Sequence, residues 1–182
     1  PNEAHLRISD WQQKWGADRV HVVTSNIDDL LERAGCRGVV HLHGDIYHMQ
    51  CASCGHTWHI GEEAFDANES CPECASHLTK PNIVFFGETA PEYQSMYQVF
   101  DAKKRTRNDV LLWVGSSMQV LTPSRVFQLQ GGWGEPSLGF KVLLDPQADV
   151  LARQAPVFDL VLKGEAETHI GLVSSLLHHF DR

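Results

Sequence analysis

The chain has 182 residues, of which 42% are hydrophobic and 21% charged, and its formal net charge is -8. This composition is typical of a globular protein with a hydrophobic core, and no apolar run reaches the roughly 18 residues of a membrane-spanning helix. The acidic balance offers no attraction to phosphate backbones, so nucleic acid is not an expected partner. It suits either a cationic partner, such as a lysine-rich peptide, or ordinary solubility. The chain start shows no signal-peptide pattern, so we expect a cytoplasmic protein without a membrane partner.

Short β-rich runs alternate with helical segments along most of the chain. The predicted strands are 19–24, 38–42, 83–86, 109–115, 140–144 and 158–162. Most are continuous apolar stretches, which is typical of strands buried on both faces of a parallel sheet. Helices are predicted over 2–15 with Asn2 as the cap, over 27–34, from Pro91 to about Arg105, and over 165–180. The alternation predicts an α/β fold with a Rossmann-like layered parallel sheet.

Four of the five cysteines form two C-x2-C pairs separated by sixteen residues, namely Cys51, Cys54, Cys71 and Cys74. This spacing is typical of a zinc site, because each tight turn presents two sulfurs to the ion at about 2.3 Å and two turns complete a tetrahedron. Four thiolates leave no open position for water, which favours a structural metal. Disulfides are the alternative, although the missing secretion signal and the unpaired Cys36 argue against them. The segment interrupts the alternation, so we predict a zinc-binding module over 48–80, inserted into one domain of residues 1–47 and 81–182.

Small, hydroxylic or ionisable residues follow every predicted strand. They lie at 24–28, 43–45, 87–88, 115–117, 145 and 163–165. Because ligands of open α/β sheets bind beyond the carboxyl ends of the strands, this pattern favours a ribose- and amide-rich ligand. Asn26 and Asp28 also suit helix N-caps, and 115–117 suits an ordinary capped turn. His41 and His43 share strand parity, so periodicity does not decide which is a general base. The glycine-rich stretch 131–136 follows no strand and is interpreted as a surface loop.

Five motifs in chain order resemble those of the sirtuins, the NAD-dependent protein lysine deacylases. The segment Thr24-Ser25-Asn26-Ile27-Asp28 resembles their Thr-Gln-Asn-Ile-Asp, and His43-Gly44 matches their catalytic His-Gly in type and spacing. The paired cysteines follow directly, as in that family. Phe86-Gly87-Glu88 matches the family's Phe-Gly-Glu, and Gly115-Ser116-Ser117-Met118-Gln119-Val120 resembles its Gly-Thr-Ser-x-x-Val.

The resemblance implies NAD-dependent removal of acetyl-type acyl groups from protein lysines, with release of nicotinamide and O-acyl-ADP-ribose. It implies NAD and one structural zinc ion as cofactors, and acylated lysine peptides or proteins as partners. By this resemblance His43 is the general base on a ribose hydroxyl, and Asp28 holds the nicotinamide carboxamide. The implied cofactor contacts are Ser25, Asn26, Ile27, Asp28, Gly115, Ser116, Ser117, Asp145, Gly164, Glu165 and Ala166. The implied substrate contacts, made by strand addition, are Val84, Phe86, Gly87 and Glu88.

The chain also departs from the sirtuin pattern. Ser25 stands where glutamine is usual, Asp29 and Leu31 replace a glycine and a histidine, and Asp145 stands where asparagine is common. The family's Gly-Ala-Gly-x-Ser loop, which cradles pyrophosphate through backbone amides, and its Ile-Pro-Asp-Phe-Arg segment are absent. Because the sequence starts at Pro1 without methionine, we expect these segments to precede it, and we expect the chain as given to bind NAD poorly. A naturally reduced protein is the alternative.

Two other functions stay open at the level of sequence. Ser25 and the altered helix after it motivate transfer of ADP-ribose to protein, or hydrolysis of NAD, on the same scaffold. A catalytically inactive module that keeps the zinc and the peptide-pairing edge is the third possibility. The sequence does not indicate the oligomeric state.

Overall fold

The computed structural model describes residues 1–62, 68–90, 92–99, 106, 108–119 and 139–180. Within them the elements are, in chain order, α1 (Glu3–Trp15), β1 (Val23–Thr24), α2 (Leu30–Arg33), β2 (Val40–His41), β3 (Gly44–Cys51), β4 (Thr57–His59), β5 (Thr79–Ile83), α3 (Tyr93–Val99), β6 (Val110–Val114), β7 (Phe140–Asp145), α4 (Ala148–Gln154), β8 (Leu160–Lys163) and α5 (Ala166–Phe180). Among the helices of this described part, none is long and apolar enough to cross a membrane.

The parallel strands form a two-stranded sheet, β1–β2, and a three-stranded sheet in the order β6–β7–β8. The central strand β7 is apolar on both faces, and successive side chains point to opposite sides. Leu143 packs into one core cluster with Leu42, Trp113 and Leu151. Leu144 packs into a second cluster on the other face, with residues of α1 and α5. Helices therefore cover both faces of the sheet, and the predicted Rossmann-like α/β fold is confirmed.

A second, antiparallel sheet in the order β4–β3–β5 holds the cysteine segment. Here the prediction of a parallel strand over 83–86 is wrong. The strand β5 ends at Ile83 and runs antiparallel to β3, and both backbone groups of Phe85 are used in a turn with Glu88. A short apolar run does not reveal its strand partner, which explains the error. The paired sheet spans Gly44–Ile83, so it extends beyond the predicted 48–80 segment at both ends.

The helices agree better with the sequence, with differences at their ends. The Asn2 side chain accepts hydrogen bonds from the amides of Ala4 and His5, and α1 ends at Gly16, where φ is 92°. The predicted helix 27–34 is reduced to α2, because residues before Leu30 fold into side-chain-capped turns. The predicted ends of the third helix, Pro91 and Arg105, lie outside the described residues, as does the loop 131–136.

Candidate active site and metal centre

His43 lies just beyond the carboxyl end of β2 and is half-buried. Its Nδ1 is 3.0 Å from the carbonyl oxygen of Ser25. A carbonyl can only accept, so Nδ1 carries the proton, and the Nε2 of the neutral ring keeps a free lone pair. The hydroxyl of Tyr93 lies 3.5 Å from that Nε2, at the outer limit of a hydrogen bond. The imidazole is thus oriented by one nitrogen and able to accept a proton at the other, as a general base requires.

His41 has no such free nitrogen. Its Nδ1 is 3.1 Å from the carbonyl oxygen of Asn26, and its Nε2 is 2.9 Å from the Glu32 carboxylate. Strand parity left His41 and His43 equivalent, whereas their hydrogen-bond partners separate them. The geometry favours His43 as the candidate base.

Gly44 fixes the backbone on the other side of His43. Its φ is 73°, and a Cβ at this position would collide with the carbonyl oxygen of Asn82 in β5. Next to this close approach, the amide of Val84 donates to the carbonyl oxygen of His43 at 2.9 Å. Only glycine permits both the left-handed conformation and the approach of the two backbones. The residue after His43 therefore has a structural reason to be glycine.

The loop that leaves β1 carries four of the predicted cofactor contacts. The side chains of Ser25 and Asn26 are exposed, and those of Ile27 and Asp28 are half-buried. The Asn26 amide donates to the Thr24 hydroxyl at 3.0 Å. Asp28 Oδ1 accepts from the Leu30 amide at 3.1 Å and closes a turn that leads into α2. The N-cap position itself is Asp29, whose side chain makes no capping bond.

The exits of β6, β7 and β8 lie at one edge, because these strands are parallel. Gly115 has a φ of 57° and open space where a Cβ would stand. Ser116 Oγ accepts from the Met118 amide at 3.4 Å, which is the capped turn that the sequence left open. Asp145 is buried, and its Oδ1 accepts from the Gln147 amide at 2.7 Å. The remaining predicted contacts at this edge are the exposed Ser117, the half-buried Gly164 and Ala166, and the exposed Glu165.

The predicted substrate residues follow β5 next to His43. Phe86 is fully exposed, at 103% of its reference area, and Gly87 is exposed with a φ of 90°. Glu88 turns back toward the protein: its carboxylate accepts from Lys80 Nζ at 2.6 Å and from the Phe85 amide at 3.0 Å. The Lys80 ammonium and the Phe85 amide together hold the pKa of Glu88 below its usual range. Glu88 is thus engaged in shaping this turn.

The four cysteine sulfurs lie within 4.8 Å of one another. The sulfur of Cys51 lies 3.6 Å from that of Cys74, and the sulfur of Cys54 lies 3.7 Å from that of Cys71. A tetrahedral ion with zinc–sulfur distances of about 2.3 Å requires sulfurs roughly 3.8 Å apart. A disulfide requires about 2.05 Å, and all four thiols are free. The cluster is poised to hold a metal ion and its dimensions are consistent with zinc.

The titration of these thiols also fits a cation. Burial opposes ionisation of Cys51, yet hydrogen bonds from the backbone amides of Cys54 and Ser53, together with those from the thiols of Cys74 and Cys54, lower the pKa of Cys51 to about 6. The His56 amide favours the thiolate of Cys54, but the neighbouring Cys74 sulfur and burial act against it. They raise the pKa of Cys54 to about 12. One thiolate forms readily and the next is opposed, so a bound cation would supply the missing compensation.

The sequence model of the Sir2 family matches residues 1–122. The chain belongs to the Sir2 family. A Campylobacter jejuni protein named NAD-dependent protein deacylase is 40% identical over 121 residues, which are 66% of this chain and 49% of that protein. A Pyrococcus furiosus protein of the same name is 30% identical over 176 residues, 91% of this chain and 64% of that protein. The predicted sirtuin resemblance is confirmed.

Solved structures agree with this family. A Sir2 homologue in complex with NAD has a TM-score of 0.73 and 26% identity, and the match covers 100% of this chain and 65% of that one. A further Sir2 homologue in complex with ADP-ribose has a TM-score of 0.71 and 26% identity, with 100% and 67% covered. This Sir2 chain spans about half the length of the Campylobacter relatives it matches, at 49% and 51%.

Tyr93 and Lys80 contribute to the site of this Sir2 chain without having been identified from the sequence, and His41, which the sequence offered only as an alternative base, has a different role. Tyr93 contacts His43, Lys80 anchors Glu88, and His41 binds the loop after β1. The one available signal was the parity of His41 with His43. Tyr93 and Lys80 depend on contacts between elements, which residue spacing does not report.

Proposed function

We propose that this Sir2-family protein removes acetyl-type acyl groups from protein lysines with NAD as co-substrate, releasing nicotinamide and O-acyl-ADP-ribose. The orientation of His43 carries the proposal, because Ser25 holds its Nδ1 and leaves Nε2 able to accept a proton. Two relatives named NAD-dependent protein deacylase, at 40% and 30% identity, support it.

When bound, NAD supplies an electrophilic ribose carbon with nicotinamide as its leaving group. The residues of this chain bind and orient it. Asn26 and Asp28 border the nicotinamide-ribose pocket. The Asp28 carboxylate, which the Leu30 amide holds by a hydrogen bond, accepts a hydrogen bond from the nicotinamide carboxamide. His43 Nε2 takes the proton of a ribose hydroxyl. The other cofactor contacts are Ser25, Ile27, Gly115, Ser116, Ser117, Asp145, Gly164, Glu165 and Ala166, at the strand exits where ligands of such sheets bind.

An acylated lysine peptide or protein is the proposed partner. It lies along Val84 and the exposed Phe86–Gly87 edge, adjacent to His43 through the bond between the Val84 amide and the His43 carbonyl. Glu88 contributes by closing the turn that presents this edge. The net charge of -8 suits lysine-rich segments. The zinc-binding module, proposed as 48–80 within a domain of 1–47 and 81–182, supports this edge.

The assay uses the protein as encoded in full, incubated with NAD and an acetyl-lysine peptide, with the products identified by mass spectrometry. We expect nicotinamide and O-acetyl-ADP-ribose. His43→Ala should lower turnover by about 10²- to 10⁴-fold, whereas the exposed His21→Ala is the control and should keep it. Free ADP-ribose or ADP-ribosylated protein would instead identify a hydrolase or a transferase. Absence of NAD binding by calorimetry would identify an inactive binding module.

A further inference from the structure

The side chains of two histidines form hydrogen bonds with consecutive carbonyl oxygens of the loop after β1. His43 Nδ1 lies 3.0 Å from the Ser25 oxygen, and His41 Nδ1 lies 3.1 Å from the Asn26 oxygen. His41 is the direct partner of Thr24, the last residue of β1, in the parallel pairing of β1 with β2. The strand register therefore places an imidazole beside the loop, and His41 is bound to the loop backbone without being the candidate base.

The other ring nitrogen of His41 faces a carboxylate. Its Nε2 is 2.9 Å from Glu32 Oε1, and the side chains of His41 and Glu32 are 17% and 40% exposed. The Asn26 carbonyl and the Glu32 carboxylate can both only accept hydrogen bonds. A neutral ring can donate to only one of these two acceptors, whereas an imidazolium can donate to both, and its bond to Glu32 is then charge-assisted. The two contacts tie β2, the loop and α2 into one closed unit.

We propose that His41 is a positioning residue that, together with Glu32, fixes the loop residues 26–28 in the shape that binds NAD. The inference rests on the proposed function, which assigns this loop to the nicotinamide-ribose pocket. Without His41 the loop samples more conformations, and binding NAD has to order it. His43 keeps its own bond to Ser25, so the proton-accepting nitrogen is not moved. The effect is therefore expected on NAD affinity rather than on turnover at saturation.

Steady-state kinetics of the encoded protein with NAD and acetyl-lysine peptide test the proposal. His41→Phe keeps a planar ring and removes both donors. It should raise KM for NAD about tenfold, the loss expected for a hydrogen bond to a charged group, with kcat and the peptide KM within about twofold. His41→Gln restores a donor amide and should recover most of the affinity. Glu32→Gln removes only the charge from an exposed position, so it should fold and raise the NAD KM by about threefold.

The matched control is His48→Phe, because His48 also pairs with a carboxylate, Asp45, at 2.7 Å, but outside this loop. It should leave the KM for NAD unchanged. Equal effects of the His41 and His48 substitutions on both KM values and on Tm would overturn the positioning role. So would an NAD KM within twofold of the parent in both His41→Phe and Glu32→Gln.

Amide hydrogen exchange in the absence of NAD separates this inference from the proposed function. His41→Phe should speed exchange at residues 26–28 at least several-fold, and His48→Phe should not. If His41→Phe speeds exchange at residues 26–28 but the parent protein fails to consume NAD, the positioning role is retained and the deacylase proposal is refuted. If the parent protein deacylates the peptide normally and His41→Phe leaves exchange at residues 26–28 unchanged, the positioning role alone is refuted.

Discussion

Gly44→Ala is expected to separate backbone strain from the contact that holds the candidate base. A left-handed φ costs a non-glycine residue roughly 1–2 kcal/mol, and at Gly44 φ is 73°. The added Cβ would also collide with the Asn82 carbonyl, which belongs to β5 and cannot rotate away. Moving β5 breaks the 2.9 Å bond from Val84 to His43, worth about 0.5–1.5 kcal/mol. We expect a total loss of about 2–3 kcal/mol of unfolding free energy.

Gly38→Ala is the matched control, since Gly38 has a φ of 61° and nothing within 4 Å of the new Cβ. It carries the strain without the collision. Thermal unfolding should show Gly44→Ala below Gly38→Ala by roughly 1–6 °C, because the lost hydrogen bond is the difference between the two variants and 1 kcal/mol shifts Tm by about 2–4 °C in a chain of this size. Displacement of His43 by about 1 Å should also lower kcat about 100-fold, while Gly38→Ala keeps it. Equal stability and equal turnover of the two variants would refute the argument.

Removing the metal with a chelator, or replacing Cys71 by serine, should unfold the antiparallel sheet and reduce turnover; far-ultraviolet circular dichroism and metal analysis check this, and a metal-free Cys71→Ser protein with full stability would contradict it. Metal affinity should already fall as the pH drops through neutrality, because the raised pKa values of Cys54 and Cys74 mean that both thiols release protons when they bind the ion. The fall should steepen below about pH 6, where protons compete for Cys51 as well. Lys80→Met should raise the peptide KM by freeing Glu88 and the turn after β5, and leave the NAD KM unchanged. The stabilisation from the Lys80–Glu88 pair is complete above the ordinary Glu88 pKa of 4.5 and is lost as the pH falls through the lower folded value, so urea unfolding of parent and variant should converge only in acid.

Features set by short-range chemistry could be predicted from the sequence. The spacing of the four cysteines forces two tight turns, and their sulfurs do converge. Asn2 caps α1 because its side chain reaches amides only two and three residues away. The apolar run 142–144 in β7 predicts a strand buried on both faces, and Val142, Leu143 and Leu144 are each 0% exposed.

Features that depend on the pairing of distant segments could not be predicted from the sequence. The run 83–86 is apolar and β-rich, but nothing in it reveals that the preceding residues Thr79–Ile83 pair with β3 while Phe85 enters a turn. His41 and His43 have the same parity, and contacts from other elements, Glu32 of α2 with His41 and Tyr93 of α3 with His43, make their environments different. Hydrophobic periodicity and secondary-structure propensity describe one segment at a time, whereas strand pairing and side-chain contacts depend on two segments.

The two ends of the antiparallel sheet explain how a distant metal can matter to the site. Gly44 opposes Ile83 beside His43, and Cys51 opposes Thr79 at the other end of β3. At about 3.4 Å per residue, the seven steps between Gly44 and Cys51 span at most roughly 24 Å, and the register shift between Gly44 and Met49 shortens this distance. A metal at that distance cannot polarise an atom that His43 touches, so its influence has to be mechanical. It closes the far end of a two-strand ladder whose near end aligns the His43 carbonyl with Val84, and loss of the ion should loosen the ladder from Cys51 toward Gly44.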